Sequence, residues 1–457
     1  MKLFNTLTRS KQDFSPIYNK TVGIYSCGPT VYNSPTIGNL RAYIFTDILK
    51  KTLRHVGGWD ILDVVNTTDV GHLQSDADEG EDKMDISAKR TQTTPEQIAK
   101  KFTDEFLAAT DALNITRPKV IAPATSYINQ MIKHVLELEQ LGFTYNTSDG
   151  VYFRADKFDD YFALRGKSKG DKAGMRVSMG EKQNQNDFCL WRFTKPTALQ
   201  KFESPWGVGT PGWHIECSAI AREHLGDQFD IHTGGVDHIP IHHTNERAQT
   251  QAITKKEMSR FWLHNEFVKV DGTKMSKSLG NVYTLSDLIA IGYDPLHFRY
   301  LCLLAHYRTI LNFTFDGLDA AKKAYENLVR ELSKHKAAPK TKLDTAKFRD
   351  EFNGALSDDL NTPKAIGTLW TMLKSPASRE IYDQAIEFDR ILSLDLDSIK
   401  KPKEDKIPKE VMDLAILRAK HKQNRDFANA DRLREQINAL GFNVSDTPNG
   451  PGLTKQP

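Results

Sequence analysis

Strand-like and helix-like apolar patterns alternate along the first part of this chain. Val22–Cys27 is a short, largely apolar run closed by Gly28-Pro29, which predicts a buried strand ending in a turn. After Asn39, the residues Ile44, Phe45, Ile48, Leu49 and Leu53 fall on one face of a helix, and Gly57-Gly58 stops it. Trp59–Val65 predicts a second strand. Strand, helix and strand at this spacing make a βαβ unit, and with it a parallel sheet. Ile128, Met131, Ile132, Val135 and Leu136 predict another amphipathic helix, ended by Gly142. From about 145 to 205 the chain is polar, rich in Gly and Lys and weakly periodic, so it reads as an insertion rather than core. The alternation then resumes. Gln228–His232 reads as strand, Gly234-Gly235 as turn, His242–Ile253 as helix, and Phe261–Val270 as strand-like chain turned by Asp271-Gly272.

From about Asp316 the character changes to long helical stretches, broken by Lys/Pro-rich linkers at Lys334–Lys342 and Lys400–Pro408. A last unit, Ala428–Pro457, begins as a helix and ends in Pro/Gly-rich chain. The expected class is α/β: one parallel nucleotide-binding sheet split by an insertion, then an α-helical region. The boundaries follow as 1–115 and 206–265 for the two halves of the sheet domain, with 116–205 as the connective insertion. A loop-bearing region covers 266–315, a helical bundle 316–400, and the small terminal unit 401–457. No internal repeat is visible.

Composition narrows the class little. The chain has 457 residues, 39% hydrophobic and 26% charged, and a net charge of +3. No run of 18 apolar residues is present and MKLFNTLTRSKQDF lacks an apolar signal core, so a cytoplasmic protein is expected, with no membrane partner. Cys27, Cys189, Cys217 and Cys302 are too widely spaced for a disulfide framework. Charge distribution says more than its sum. Between Ser398 and Arg425 nine basic residues face four acidic ones, which suits either a solvated linker or contact with a phosphate backbone.

Two segments carry the candidate chemistry. Thr36-Ile37-Gly38-Asn39 sets a glycine at a helix start, where backbone can approach a nucleotide and N–H groups point at anions. Lys274-Met275-Ser276-Lys277-Ser278-Leu279-Gly280-Asn281 sets two lysines on a short Ser/Gly-rich loop suited to a polyphosphate. The pairing resembles the signature of class I aminoacyl-tRNA synthetases. A possible metal set lies apart from it. His242 and Glu246 stand at i and i+4 on one helix face, Cys217 lies just before another helix, and Cys27 ends the first strand. All four are acceptable to Zn²⁺. Singly, the cysteines also read as small buried hydrophobes and His242 as an ordinary satisfied polar residue.

Nearly the whole chain resembles the cysteinyl-tRNA synthetases. The matching segments are LFNTLTR (Leu3–Arg9), YSCGPTVYN (Tyr25–Asn33), NTTDVGHL (Asn66–Leu73), WHIECSA (Trp213–Ala219), IHTGGVD (Ile231–Asp237), HHTNE (His242–Glu246), KMSKSLGN (Lys274–Asn281) and DDLNTP (Asp358–Pro363). The resemblance implies a Rossmann-like catalytic domain followed by a helical, tRNA-binding region whose bundle reads the anticodon. It implies one zinc ion per chain on Cys27, Cys217, His242 and Glu246, with ATP as substrate accompanied by Mg²⁺. It implies L-cysteine and tRNA(Cys) as partners, and a monomer. Lys274, Lys277, Thr36 and Asn39 would be catalytic, and Gly38, Asn39, Asp237 and Lys277 would bind ATP. Thr68, Trp213 and His232 would line the amino-acid pocket. Asp237 also reads as a helix N-cap and Trp213 as core. Two departures stand out. Thr36 replaces the family's usual histidine, and the tail DTPNGPGLTKQP lacks the aromatic and arginines that usually follow. Two alternatives are an ATP-dependent cysteine ligase acting on an amino sugar and a catalytically degenerate synthetase-like RNA-binding protein.

Overall fold

The computed structural model describes residues 1–71, 83–166, 180–276, 279–398, 408–424, 426–447 and 450–455. Lys277, Ser278, Arg425 and most of the Lys400–Pro408 linker lie outside the described residues. The chain divides into two compact units, Met1–Asp397 and Ser398–Pro457.

A five-stranded parallel sheet organises the first unit. Its strands are β1 (Thr21–Ser26), β2 (Asp60–Thr67), β3 (Val120–Pro123), β4 (Phe229–Gly235) and β5 (Ser259–Asn265). Their spatial order is β5-β4-β1-β2-β3, all parallel. The chain runs outward one way through β1, β2 and β3 and the other way through β4 and β5. The topological switch therefore lies between β1 and β4, where open α/β sheets bind ligands beyond the strands' carboxyl ends.

Alternation along the strands fills both faces, as a parallel sheet requires. Val22 and Ile24 of β1 join Ile231, Phe261 and Leu263 in one apolar cluster, covered by Phe45, Leu49 and Leu53 of helix α1 (Ile37–His55). Tyr25, Val64 and Trp262 face the opposite cluster, with Ile215 and Ile220 of α2 (Trp213–Leu225) and Ala248 and Ala252 of α3 (His242–Thr254).

The segment read as an insertion outside the core departs from expectation. Thr144–Asn146, Gly150–Phe153, Phe188–Phe193 and Gly209–Pro211 form a four-stranded antiparallel sheet. Its Val151, Phe153, Phe188, Leu190 and Trp191 pack into the same cluster as Ile215 and Trp262. Phe261–Val270 also divides. β5 ends at Asn265, and Val268–Val270 pairs instead with Thr273–Lys274 and Leu311–Phe313 in a separate small sheet.

Beyond it, helices Phe315–Lys336, Ala346–Ser357, Thr362–Met372 and Arg379–Leu392 complete the first unit. The terminal unit has its own small core of Val411, Ala415, Ile437 and Phe442. Its last, Pro/Gly-rich stretch forms a hairpin of Phe442–Thr447 with Gly450–Lys455. Arg418, counted among the basic residues there, is buried. No helix among the described residues is long and apolar enough to cross a membrane.

Candidate active site

The carboxyl ends of β1, β2, β4 and β5 open onto one cleft of about 1010 Å³. Among the residues proposed from sequence, Cys27, Thr36, Gly38, Asn39, Thr68, Trp213, Cys217, Asp237, His242 and Lys274 line it. His232 does not.

On the thiol side, Cys27, Cys217, His242 and Glu246 bring one donor atom each within 4.8 Å of one another. Three folded elements position them. Cys27 follows β1, and the Gly28 N–H donates to the Asn66 side-chain oxygen at 2.8 Å. No larger residue fits at Gly28, because a Cβ would lie 1.4 Å from the Asn66 carbonyl oxygen. Cys217 lies inside α2, rather than ahead of it, and is buried. His242 and Glu246 are one turn apart on α3, with His242 Nε2 3.0 Å from Glu246 Oε1. The Trp213 ring lies over His242 with centroids 4.4 Å apart. Trp213 is half-buried and belongs to the cleft wall, so the core reading of it does not hold.

Glu246 and His242 are each steadied by a second residue. His232 Nε2 sits 2.8 Å from Glu246 Oε2, in a fully buried pair. Its role in the geometry is to hold Glu246 rather than to line the cleft. His214 Nδ1 lies 2.9 Å from His242 Nδ1. Thr68 donates its hydroxyl to Glu216 Oε1 at 2.6 Å, and burial pushes the Glu216 carboxyl well above the usual range. Burial also pushes the Cys217 thiol up to about 12. Cys27 is raised too, by burial, by its contact with Cys217 and by the Glu246 charge. Two thiols held this far up do not ionise together unaided. A divalent cation would supply the missing positive charge, and the Cys/Cys/His/Glu donor set is one that Zn²⁺ accepts.

A second, overlapping group, Cys27, His232, His243 and Glu246, satisfies the same spacing. Its histidines are already engaged. His243 Nδ1 meets His264 Nε2 at 2.8 Å, and His264 Nδ1 meets the Thr6 hydroxyl at 2.8 Å. Burial, then the neighbouring imidazoles, hold His243 and His264 well below the ordinary histidine range. Cys27, Cys217 and His242 line the cleft, which makes theirs the set a substrate can reach.

On the phosphate side, Thr36 caps α1. Its Oγ1 accepts from the Asn39 N–H at 3.2 Å and donates to Asn39 Oδ1 at 2.7 Å, while the Thr36 N–H donates to the same oxygen at 3.0 Å. The Asn39 carboxamide oxygen is thereby spent on the cap, and its NH₂ group is the end left to donate to a ligand. Gly38 is approached by the lysine-bearing loop: a Cβ there would lie 2.5 Å from the Met275 methyl. The Ile37 N–H donates to the Tyr283 carbonyl at 2.9 Å, which ties that loop's far end to the helix start. Lys274 is exposed, its ammonium 6.0 Å from the Phe267 ring centre. Asp237 is exposed in a short turn, and the N-cap position of α3 is Ile241, without a side-chain cap, so the N-cap reading of Asp237 is overturned.

Sequence reasoning missed three contributors. His243 sits beside His242, three residues before Glu246, and that i,i+3 spacing was its signal. Asn281 closes the lysine loop, accepting from the Ser276 N–H at 2.8 Å and donating to Thr273 Oγ1 at 3.1 Å and the Lys274 carbonyl at 3.2 Å. Arg41 is buried and donates to four carbonyls, those of Glu266, Phe267, His306 and Thr309, at 2.6–3.2 Å. The carbonyls of Glu266 and Phe267 mark where the chain leaves β5 for the small sheet, and those of His306 and Thr309 precede its strand Leu311–Phe313.

A family model described as tRNA synthetases class I (C) catalytic domain matches residues 13–323. A cysteine–tRNA ligase 1 of Burkholderia lata is 42% identical over 99% of this chain and 96% of its own length. The chain belongs to the cysteine–tRNA ligase family. A Treponema denticola cysteine–tRNA ligase is 38% identical, over 98% of each chain. Solved class I folds agree. A Mycobacterium tuberculosis methionyl-tRNA synthetase in complex with methionyl-adenylate superposes with a TM-score of 0.57 at 17% identity, over 82% of this chain and 88% of that one. The LeuRS of Agrobacterium radiobacter K84, solved as a ternary complex with tRNA and LeuAMS, gives 0.59 at 12% identity over 84% of each. Membership of the cysteine–tRNA ligase family makes this an ATP-using aminoacyl-tRNA synthetase. Nothing in the comparisons supports the amino-sugar ligase or the degenerate protein.

Proposed function

We propose that the enzyme activates L-cysteine with ATP to cysteinyl-adenylate, releasing pyrophosphate. It then transfers the cysteinyl group to the 3′ end of tRNA(Cys), as a cytoplasmic monomer. The observation that supports this reading is the shared cleft, which Cys27, Cys217 and His242 line on the thiol side and Thr36, Gly38, Asn39 and Lys274 on the phosphate side. In the first step a cysteine carboxylate oxygen attacks the α-phosphorus, and pyrophosphate leaves with Mg²⁺. In the second, a terminal ribose hydroxyl attacks the acyl carbon, the acyl–phosphate bond breaks, and AMP and a proton are released. Neither step needs a protein nucleophile, so the protein's contribution is position and charge.

Asn39 donates to phosphate oxygens through its free NH₂ group, aimed by Thr36. Lys274 and Lys277 balance charge that builds on the transferring phosphate. Gly38 leaves room for the nucleotide once Met275 withdraws, and Asp237 takes ribose or the substrate amine. Trp213 and Thr68 bound the amino-acid pocket, and His232 fixes Glu246. Cys27, Cys217, His242 and Glu246 would hold Zn²⁺, which supplies a Lewis-acidic position that a thiolate enters readily and an alcohol does not. That chemistry separates cysteine from serine, which shape alone separates by only about 1–3 kcal/mol. The helical region and terminal unit are assigned to tRNA, the bundle over 316–400 to its anticodon arm. Charging of tRNA(Cys) with labelled cysteine tests the reading, and adenylate formation with no charged tRNA would sink it.

A further inference from the structure

Two of the segments singled out in the sequence, Leu3–Arg9 and Asp358–Pro363, have no part in the cleft lining. The fold joins them elsewhere, at Asp359, which is fully buried. Asp359 Oδ1 accepts from the Phe4 N–H at 2.9 Å and from the Tyr307 hydroxyl at 2.6 Å, and Oδ2 accepts from Arg308 Nε at 2.7 Å. The Asp359 carbonyl oxygen lies 2.8 Å from His306 Nε2. Asp359 and Leu360 are both left-handed, at φ 63° and 56°. Two successive residues with side chains rarely adopt that conformation, and it persists only where the surroundings impose it. Here it lets one residue hold the 306–308 segment by its carboxylate and its carbonyl together.

Arg41 grips the same segment from another side. Its guanidinium donates to the carbonyls of His306 and Thr309 at 3.2 and 2.6 Å, and to those of Glu266 and Phe267 at 2.9 and 2.8 Å. Main-chain bonds tie these two stretches directly, from the Glu266 N–H to the Tyr307 carbonyl at 2.8 Å and from the Leu311 N–H to the Phe267 carbonyl at 3.0 Å. They lead into Val268–Val270 and Leu311–Phe313, the parallel pair of the small sheet. Lys274 stands on the third strand of that sheet, opposite Lys269. Arg41 itself lies two residues beyond Asn39 on α1. One helical turn therefore carries both a phosphate-side donor and the grip on the sheet that presents Lys274. Packing alone does not call for a charge here. Burial works against the Arg41 guanidinium, and an apolar side chain of similar volume would fill the space at less cost. An apolar side chain cannot hold two chain segments in register, as a planar fork of donors does.

We propose that Arg41 and Asp359 are positioning residues for adenylate formation. They clamp the 306–309 turn between them, and so set the distance from the strand of Lys274 to the start of α1. Neither lines the cleft, so both act through Lys274 and the loop it opens. The proposal rests on the reading given under Proposed function and deepens it.

Three variants of the full chain test it. Arg41→Lys keeps the charge and loses the fork, and Asp359→Asn keeps the shape and loses the charge. Tyr307→Phe removes one hydroxyl from the clamp while its ring can stay stacked on Phe45, 4.4 Å away, and it serves where either of the others fails to fold. Each is measured for single-turnover formation of cysteinyl-adenylate without tRNA, for equilibrium binding of ATP and of cysteine, and for thermal unfolding. Adenylate formation should slow about 10- to 100-fold in Arg41→Lys and Asp359→Asn, the scale of a group misplaced by an ångström, and less in Tyr307→Phe. Both substrate affinities should stay unchanged. In a Lys274→Ala background the Arg41→Lys loss should shrink, because the group being positioned is gone. Unchanged rates in the folded variants overturn the proposal. So do losses that multiply in full with Lys274→Ala, or that lie in substrate affinity, since either makes the pair a purely structural one. An unsubstituted enzyme that forms no cysteinyl-adenylate strikes the function reading instead, and the two failures are thus distinct.

Discussion

The two sides of the cleft are built by opposite rules. On the thiol side Cys217, His242 and Glu246 are buried, Cys27 is half-buried, and regular elements carry three of the four. Glu246 is held by His232 and His242 by His214, and the turn after Cys27 is fixed by Asn66. On the phosphate side Asn39 and Lys274 are exposed, and Lys274 stands at the start of a loop held by Asn281 and, at its far end, by the Tyr283 carbonyl. The difference follows from what each side must tell apart. Sulfur and oxygen differ by chemistry rather than shape, so discrimination needs donors fixed in advance. Phosphates must be gripped during transfer and then released as pyrophosphate and AMP, so a movable grip serves better.

The largest test of the contrast is Lys277→Ala. Loss of one preorganised charge contact should slow adenylate formation about 100- to 1000-fold, with cysteine KM nearly unchanged. A defect confined to cysteine binding would erase the division between the sides. Next, His232→Gln removes the group behind Glu246 and should weaken zinc retention about 10- to 100-fold, as losses of such supporting partners do. Metal titration with a competing chelator reads this directly, and unaltered affinity would mean Glu246 needs no support.

A smaller effect tests the core behind the thiol side. His134 is buried, and burial, then the Arg222 charge, hold it down at about 3, against 6.5 for a free histidine. Its folded pKa is depressed, so the unfolded chain takes up the proton first as pH falls. Its stability contribution is therefore intact above 6.5 and lost progressively from 6.5 down to 3. The slope is at most about 1.4 kcal/mol per pH unit. His134→Leu should flatten the acid limb of a denaturation series in that window, and an unchanged limb would count against a neutral buried ring.

Much of this was legible in the sequence, for physical reasons. β1 and β2 carry apolar runs that only a sheet covered on both faces buries, and both fall within two residues of the expected bounds. The i,i+4 spacing of His242 and Glu246 survives folding because a helix keeps local geometry. What failed was long-range. Val151–Phe153 and Phe188–Trp191 are short runs separated by a long polar stretch, so nothing local marks them as neighbours in one core. The break after Asn265 depends on Arg41, more than 200 residues earlier, capturing the carbonyls of Glu266 and Phe267. A buried arginine looks like any surface arginine in sequence. His232 kept its place beside the site but changed role, because only the fold reveals that Glu246 stands between it and the cleft.

The central claim is that fixed donors on the thiol side, and not the shape of the pocket, select cysteine. ATP–pyrophosphate exchange with L-cysteine and L-serine, run side by side on the zinc-loaded enzyme and on Cys217→Ser, tests it most directly. The account predicts strong exchange with cysteine, serine lower by far more than the ~100-fold that shape permits, and collapse of the preference in Cys217→Ser while ATP still binds. Full cysteine selectivity in Cys217→Ser, or comparable exchange with serine in the unsubstituted enzyme, would contradict it.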